Sequence, residues 1–323
     1  MAVLTGCGGD EAGSGSAPGD APSPPSKRAA EPARAPQPAA QPAGRVVPVG
    51  NKPEGAVFEP RSRMLAVGLT DPDLLALVAP DGAVRRRVRL AGAPRHLTLD
   101  GRTVLVPAEK ADRLVLVGLP DGDAREVRVG DNPHDADDAG ERIFVGDEFA
   151  STMTVLEDDR VVRTVPTDKQ PGGVVGLPDR VGLVAVKGYT LELFDARSLR
   201  SLGRLPAGAG PTHGVADRAG RIHVTDTRGD ALLTYSTRPR LRQVGRLGLP
   251  GNPYGITYDG ARDRLWVTLT AANRVVELGG GDRPRRLRSF PTVRQPNTIA
   301  VDERTGRLFI PSRTDGTLQL IDP

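Results

Sequence analysis

Histidine is the residue type whose placement in this chain points most directly to chemistry, because the chain has only four. Three of them, His96, His134 and His213, each stand four residues before an aspartate in a turn-like segment. An imidazole can transfer a proton, bind a metal ion or hydrogen-bond a ligand near neutral pH. If the three residues occupy one position of a repeated unit, this spacing predicts three imidazoles that face a common space.

Other interpretations of these histidines stay open. Each ring taken singly could fill a gap in the core and bond a backbone carbonyl. A divalent metal ion held by His134 and His213 is a further alternative, although a ligand distance of about 2.1 Å restricts which residues can share one ion. The fourth histidine, His223, is predicted to pack in the core, because it stands where related segments have Phe144, Trp266 and Phe309.

Polar residues beside recurrent prolines extend the candidate ligand site. The predicted ligand-binding set joins the three histidines to Glu54, Asp135, Tyr254 and Asn297. A second set, predicted to cap turns through the side chain, consists of Asp100, Asp138, Asp217, Asp259 and Asp302. The chain has no Ser-His-Asp spacing, Gly-rich phosphate loop, haem-attachment motif or zinc motif, so no confident catalytic residue emerges.

The elements that must position these residues follow from a repeat. Seven segments, each with a short strand, a turn, a stronger strand, a polar loop and a third strand, begin at prolines 38 to 43 residues apart, namely Pro53, Pro94, Pro133, Pro171, Pro211, Pro253 and Pro296. This is the period of a four-stranded propeller blade. Residues 45–323 are therefore predicted to form an all-β, seven-bladed β-propeller, with each proline opening the innermost strand.

Ring closure is predicted from the two ends of the repeat region. The last repeat supplies only three strands before Pro323. The segment Arg45–Val49 resembles a fourth strand, so we expect it to complete the last blade. Closing the ring in this way leaves no long sheet edge exposed.

The N-terminal region differs in composition. Residues 8–44 are nearly all Gly, Ala, Ser, Pro and charged, which predicts a disordered linker. The single cysteine, Cys7, ends the run LTGC, which resembles the lipobox of bacterial lipoproteins. Residues 1–7 are accordingly expected to be the remnant of a lipoprotein signal peptide, with Cys7 as the lipidation site.

Charge and hydropathy narrow the class of partner. Basic residues number 44 and acidic residues 40, without a concentrated basic block, so a nucleic acid is not an expected partner. No apolar run reaches 18 residues. The expectation is an extracytoplasmic monomer, attached to the membrane only through its lipid.

The blade pattern resembles the YVTN repeats of bacterial surface propellers and, more loosely, streptogramin lyase-like propellers. The segments RIHVTD, RLWVTL and LQLID carry the resemblance, whereas the acidic inner strand HDADDA departs from it. The leading hypothesis is a binding module that recognises a small molecule, glycan or protein at the mouth of the channel. The resemblance to lyases implies an alternative, a metal-assisted lyase or hydrolase using His213, His134 and Glu148. A third alternative is metal binding or a redox-associated role through the histidines.

Overall fold

The computed structural model describes residues 1–2 and 27–323, so the predicted lipidation site Cys7 and residues 8–26 lie outside the described residues. Seven antiparallel sheets form a ring, which confirms the predicted seven-bladed β-propeller. In the described part of the chain, no helix has the length and hydrophobicity that crossing a bilayer requires.

The strands follow one another from the channel outwards in each blade. The first strand is β1 (Arg45–Pro48). Blade 1 contains β2 (Ala56–Glu59), β3 (Met64–Leu69), β4 (Leu74–Val78) and β5 (Val84–Arg89). Blade 2 contains a broken inner strand, β6 (Ala93–Pro94) and β7 (Thr98–Asp100), then β8 (Thr103–Glu109), β9 (Arg113–Gly118) and β10 (Asp123–Arg128). Blade 3 contains β11 (Pro133–Ala139), β12 (Arg142–Asp147), β13 (Thr152–Glu157) and β14 (Arg160–Pro166).

The remaining blades repeat this order. Blade 4 contains β15 (Pro171–Leu177), β16 (Arg180–Ala185), β17 (Thr190–Asp195) and β18 (Ser201–Pro206). Blade 5 contains β19 (Pro211–Ala216), β20 (Arg221–Asp226), β21 (Ala231–Ser236) and β22 (Arg242–Gly248). Blade 6 contains β23 (Pro253–Asp259), β24 (Arg264–Leu269), a 3₁₀ turn (Thr270–Ala272), β25 (Arg274–Gly279) and β26 (Arg285–Pro291). Blade 7 contains β27 (Ala300–Asp302), β28 (Arg307–Pro311) and β29 (Thr317–Ile321).

Strand β1 closes the ring as the fourth strand of blade 7. It pairs antiparallel with β29, from Arg45 opposite Leu320 to Pro48 opposite Thr317. The predicted closure is therefore confirmed. Val49, just after β1, is buried in a cluster shared by blades 7 and 1, so the closing strand also fixes the packing between the two ends of the chain.

Apolar packing between blades holds the ring together. The second and third strands of each blade are buried on both faces, and their sequences are accordingly rich in Val, Leu, Ile and Ala. The fourth strands are largely exposed to solvent and carry charge, as the sequence VRRRVR of β5 shows. This division leaves the innermost strands free to carry polar residues along the channel.

Candidate functional site

The inner strands of the blades surround a cavity of about 420 Å³ along the channel. We call the end of the ring where the prolines lie the proline side, and the opposite end, where the inner strands turn back, the turn side. The cavity runs from His96 and His213, near the proline side, to Tyr258 and the exposed Glu303 on the turn side. Solvent therefore reaches it from the turn side.

Asp135, rather than His134, occupies in blade 3 the position that His96 and His213 occupy in blades 2 and 5. The residue two places further on pairs with the third residue of the second strand in each blade, in the pairs Thr98–Leu105, Asp137–Phe144 and Val215–His223. The prediction that the three histidines share one position is thus wrong for His134. Strands β11 and β19 each carry a one-residue bulge just after the proline. His134 follows its proline directly, whereas His96 and His213 stand two residues after theirs, so His134 lies one residue closer to the proline-side mouth.

The same one-residue offset in blade 3 also changes which residue holds the turn position there. Asp217, Asp259 and Asp302 accept hydrogen bonds from backbone N–H groups of their turns, as predicted. In blade 3 the equivalent position is Ala139, because it pairs with Arg142, the first residue of β12. Asp138 therefore lies one residue before the turn position, and its predicted capping role is wrong.

The structure nevertheless brings the three histidine rings and Tyr254 together across the channel. The ring centroids lie 5.0 Å apart for His134 and His96, 4.0 Å for His96 and His213, and 4.3 Å for His213 and Tyr254. Burial lowers the pKa of His96 well below its usual range, and burial together with nearby positive charge lowers the pKa of His213 to about 3. Both imidazoles are therefore neutral and can donate and accept hydrogen bonds.

His134 lies in a network of ionic groups. Its Nδ1 is 3.0 Å from Oε2 of Glu148 and 3.2 Å from Oε1 of Glu109. Burial acts to lower the pKa of His134, but the hydrogen bonds to the two carboxylates outweigh burial and raise the pKa to about 9. The guanidinium of Arg95, with Nε 3.1 Å from Glu109, adds a second positive charge. The positive charges of His134 and Arg95 thus neutralise the negative charges of Glu109 and Glu148.

Glu109, Glu148 and His134 also test the expectation of a divalent metal. Their ligand atoms lie within 4.8 Å of one another, and within the described ranges no other set of three such side chains does. His213, the other predicted ligand, is not in this set. A metal ion there would have to displace the proton that the two carboxylates hold on His134. The expectation of a divalent metal therefore stays a prediction, with Glu109, Glu148 and His134 as the candidate ligands.

Sequence reasoning missed Glu109. It follows Ala108, which pairs with Pro94, just as Glu148 follows Asp147, which pairs with Pro133. The two glutamates are therefore equivalent residues of neighbouring blades. Aligning the second strands on the partner of each proline would have found Glu109.

Glu54 and Asn297 also meet, and they bond to each other. Asn297 Nδ2 donates to Glu54 Oε1 at 3.1 Å, and Glu54 forms an ion pair with Arg313. Gln295 Nε2 donates to Asn297 Oδ1 at 3.0 Å. Both predicted residues are buried, and their polar atoms stabilise the junction of blades 7 and 1.

Residues 27–36 cover the proline-side mouth, and we call them the strap. Lys27 Nζ donates to the Gly188 carbonyl at 2.7 Å, and Ala35 N donates to Gln295 Oε1 at 2.8 Å. Further bonds join the strap to Tyr189, Arg228, Asn252, Asn273 and Arg294. The strap and Ala43 thus bond to the ring, whereas the sequence predicted a disordered linker over residues 8–44.

A cavity of only about 20 Å³ remains beneath the strap. It is lined by Ala29, Ala30 and Glu31 from the strap and by His134, Tyr254 and other residues of the ring. This volume holds about one water molecule. A ligand larger than water can therefore reach the channel from the turn side but not, while the strap is in place, from the proline side.

Asp135 and Asp137 line the open cavity and reach across to blade 4. Asp135 Oδ2 accepts from Val174 N at 2.9 Å, and Asp137 Oδ2 accepts from Gly176 N at 2.7 Å. These N–H groups lie on the free edge of β15 and would otherwise lack a partner. A Cβ at residue 176 would clash with the Asp138 carbonyl, so glycine permits this close approach. Burial raises the pKa of Asp135 to about 7 and that of Asp137 to about 8.

Comparison with known proteins places this geometry within a class of fold. No family model matches the chain, and no curated protein matches it. Among solved structures, hydrazine synthase of Kuenenia stuttgartiensis superposes with a TM-score of 0.74 at 16% identity, over 85% of this chain and 96% of that one. A streptogramin B lyase superposes with a TM-score of 0.73 at 10% identity, over 87% of this chain and 96% of that one.

A catalytically inactive virginiamycin B lyase from Staphylococcus aureus, with Quinupristin, has a TM-score of 0.72 at 14% identity, over 85% of this chain and 98% of that one. At these identities the likeness shows the fold alone. The chain is a seven-bladed β-propeller, with lyases among its structural neighbours. Its resemblance to YVTN-repeat propellers stays a prediction.

Proposed function

We propose that this protein is a non-enzymatic binding module that holds a small molecule in its central cavity. The observation that carries the proposal is the cavity itself, closed at the proline side by the strap and open at the turn side. Its volume of about 420 Å³ lies in the usual range for small-molecule sites, about 300–1,000 Å³. Leu97, Val215 and Ile299 are among the residues that offer apolar contact, and polar atoms form the larger part of the wall.

The arrangement of the histidines favours binding over the lyase or hydrolase alternative. Of the residues proposed for catalysis, His134 and Glu148 bond each other beneath the strap. Neither lines the open cavity, whereas His213 does. A proton-transfer role would require His134 to release the carboxylates that hold its proton.

A ligand screen with a matched blocked variant tests the proposal. Thr298 lines the cavity at the position equivalent to His96, and Thr298→Trp would fill much of the space. We expect thermal-shift hits from a metabolite library with the wild type, and their loss with Thr298→Trp. Hits that bind both proteins equally, or a compound that the wild type converts to product, would contradict the proposal.

The location of the module is proposed on separate grounds. We propose that it is displayed outside the cell membrane and tethered through Cys7. The LTGC run ahead of a segment rich in Gly, Ala and Pro supports this tether.

A further inference from the structure

We propose that the ligand of the central cavity is an organic cation, an amine or ammonium group attached to an apolar body. This inference rests on the proposed function and specifies its ligand. The side chains that line the cavity include three carboxyl groups, on Asp135, Asp137 and Glu303, and, within the described ranges, no Lys or Arg.

The absence of basic residues from the wall is informative because the chain as a whole is basic. It carries 44 Lys and Arg residues against 40 Asp and Glu. The cations Arg95 and His134 are already paired with Glu109 and Glu148 on the proline side. A cation that enters the cavity lowers the pKa of Asp135 and Asp137 and so ionises them, and the low-dielectric walls concentrate the resulting negative field on the charged ligand.

The two aspartates retain acceptor capacity for a ligand. Each carboxyl oxygen of the two aspartates accepts one backbone N–H. The donors to Asp135 are Ala136 and Val174. The donors to Asp137 are Asp138 and Gly176. A carboxylate has about four lone-pair sites, so about two remain on each group. The neutral rings of His96 and His213 supply further acceptors at the inner end of the cavity.

The spacing of the carboxylates favours an organic cation over a metal ion. Asp135 and Asp137 are two residues apart on β11, which separates their Cα atoms by about 6.6 Å. Within the described part of the chain, the group of side chains close enough to share one ion is Glu109, His134 and Glu148, which lies outside this cavity. An extended ligand with N–H donors matches the separated carboxylates, and its body would contact the apolar wall.

Three probes that differ only in their polar end would test this inference by calorimetry at pH 7.5. They are 4-phenylbutylamine, 4-phenylbutan-1-ol and 4-phenylbutyrate, with MgCl₂ as a fourth titrant. We expect the amine to bind at least tenfold more tightly than the alcohol, and Asp137→Asn to remove at least tenfold of that preference. Asp121→Asn, which removes the same charge from an exposed turn, should leave the affinity unchanged.

Several outcomes would overturn the inference. One is that the alcohol or the carboxylate probe binds as tightly as the amine. Another is that Asp137→Asn keeps the full preference for the amine over the alcohol. A third is Mg²⁺ binding to the wild type and displacing the amine. Asp135→Asn provides a second test if Asp137→Asn does not fold. Binding of the alcohol or the acid that Thr298→Trp abolishes would reject the cation but support the binding module. If no probe binds, the cation is rejected, and the library screen decides the proposed function separately.

Discussion

Replacing Asp137 with asparagine should make the protein more stable at alkaline pH. Asparagine has the same shape, and its side-chain oxygen can still accept the Gly176 N–H that Asp137 accepts at 2.7 Å. The substitution removes a charge that burial makes unfavourable, since burial raises the pKa of Asp137 to about 8. The structure therefore predicts a gain in stability where most changes at a partly buried polar residue would cause a loss.

The sign and size follow from proton linkage. The folded-state pKa of Asp137 is about 8 and its ordinary value is 3.8, so between these pH values the folded protein holds a proton that the unfolded chain has released. Its contribution to stability is therefore full below about pH 4 and is lost as the pH rises through 8. About four pKa units set a ceiling of about 6 kcal/mol. Because Asp137 is half-buried and solvent enters the cavity, we expect about 1–3 kcal/mol.

Thermal and urea unfolding at pH 5 and pH 8.5 measure this difference. At pH 8.5, Asp137→Asn should melt about 2–6 °C above the wild type, and at pH 5 much of the gain should disappear. Asp135 and His134 also titrate in this range, but they do so in both proteins, so the comparison isolates residue 137. Asp121→Asn serves as the exposed control. A variant less stable than the wild type at pH 8.5, or an equal gain at both pH values, would refute the reasoning.

Three further predictions concern other parts of the chain. Removing residues 1–38 should leave a soluble ring, whereas removing 1–50 exposes the edge of the last blade and should cause aggregation, as size-exclusion chromatography would report; equal behaviour would contradict closure by β1. His223 is fully buried, with Nε2 3.0 Å from Asp217 Oδ2, so His223→Ala should cost about 3–5 kcal/mol and His223→Phe, which keeps the volume but loses the bond, about 1–3. Urea unfolding measures both costs, and a negligible cost for His223→Phe would count against the bond. Mass spectrometry of membrane fractions from the native host should find Cys7 acylated, with Cys7→Ser as the unanchored control, and an unmodified Cys7 in the mature protein would argue against the tether.

The fold could be predicted because its signals are local and repeated seven times. A proline, a short strand and a Val- and Leu-rich strand recur in every blade, and errors in one blade are corrected by the others. The closing role of Arg45–Pro48 was also predictable, because a three-stranded last blade needs a partner. These inferences use composition and period, which the sequence displays directly.

The candidate site was less predictable because it depends on single-residue shifts and on contacts without a hydrophobic signal. The turn position of blade 3 is Ala139 rather than Asp138, so counting back four residues from Asp138 gave His134 where the equivalent residue is Asp135. The strap contains no Val, Leu, Ile or aromatic residue, and its bonds are made largely between backbone groups and side chains of distant loops. Such contacts leave no periodic pattern in the sequence.

The acidic inner strand of blade 3 shows which part of the site the fold does not explain. At the position of Asp137, other blades have Thr98, Val215, Thr257 and Ala300, so the propeller does not need a carboxylate there. Bonding the Gly176 N–H requires only an oxygen, which asparagine or serine could supply. The ionisable carboxyl group is thus the feature that neither ring closure nor strand pairing accounts for, and it lowers stability at neutral pH because burial forces it to keep its proton. Natural sequences depart from local rules mainly where function requires it, so this carboxyl group is best understood as one that ionises when it meets a ligand of positive charge.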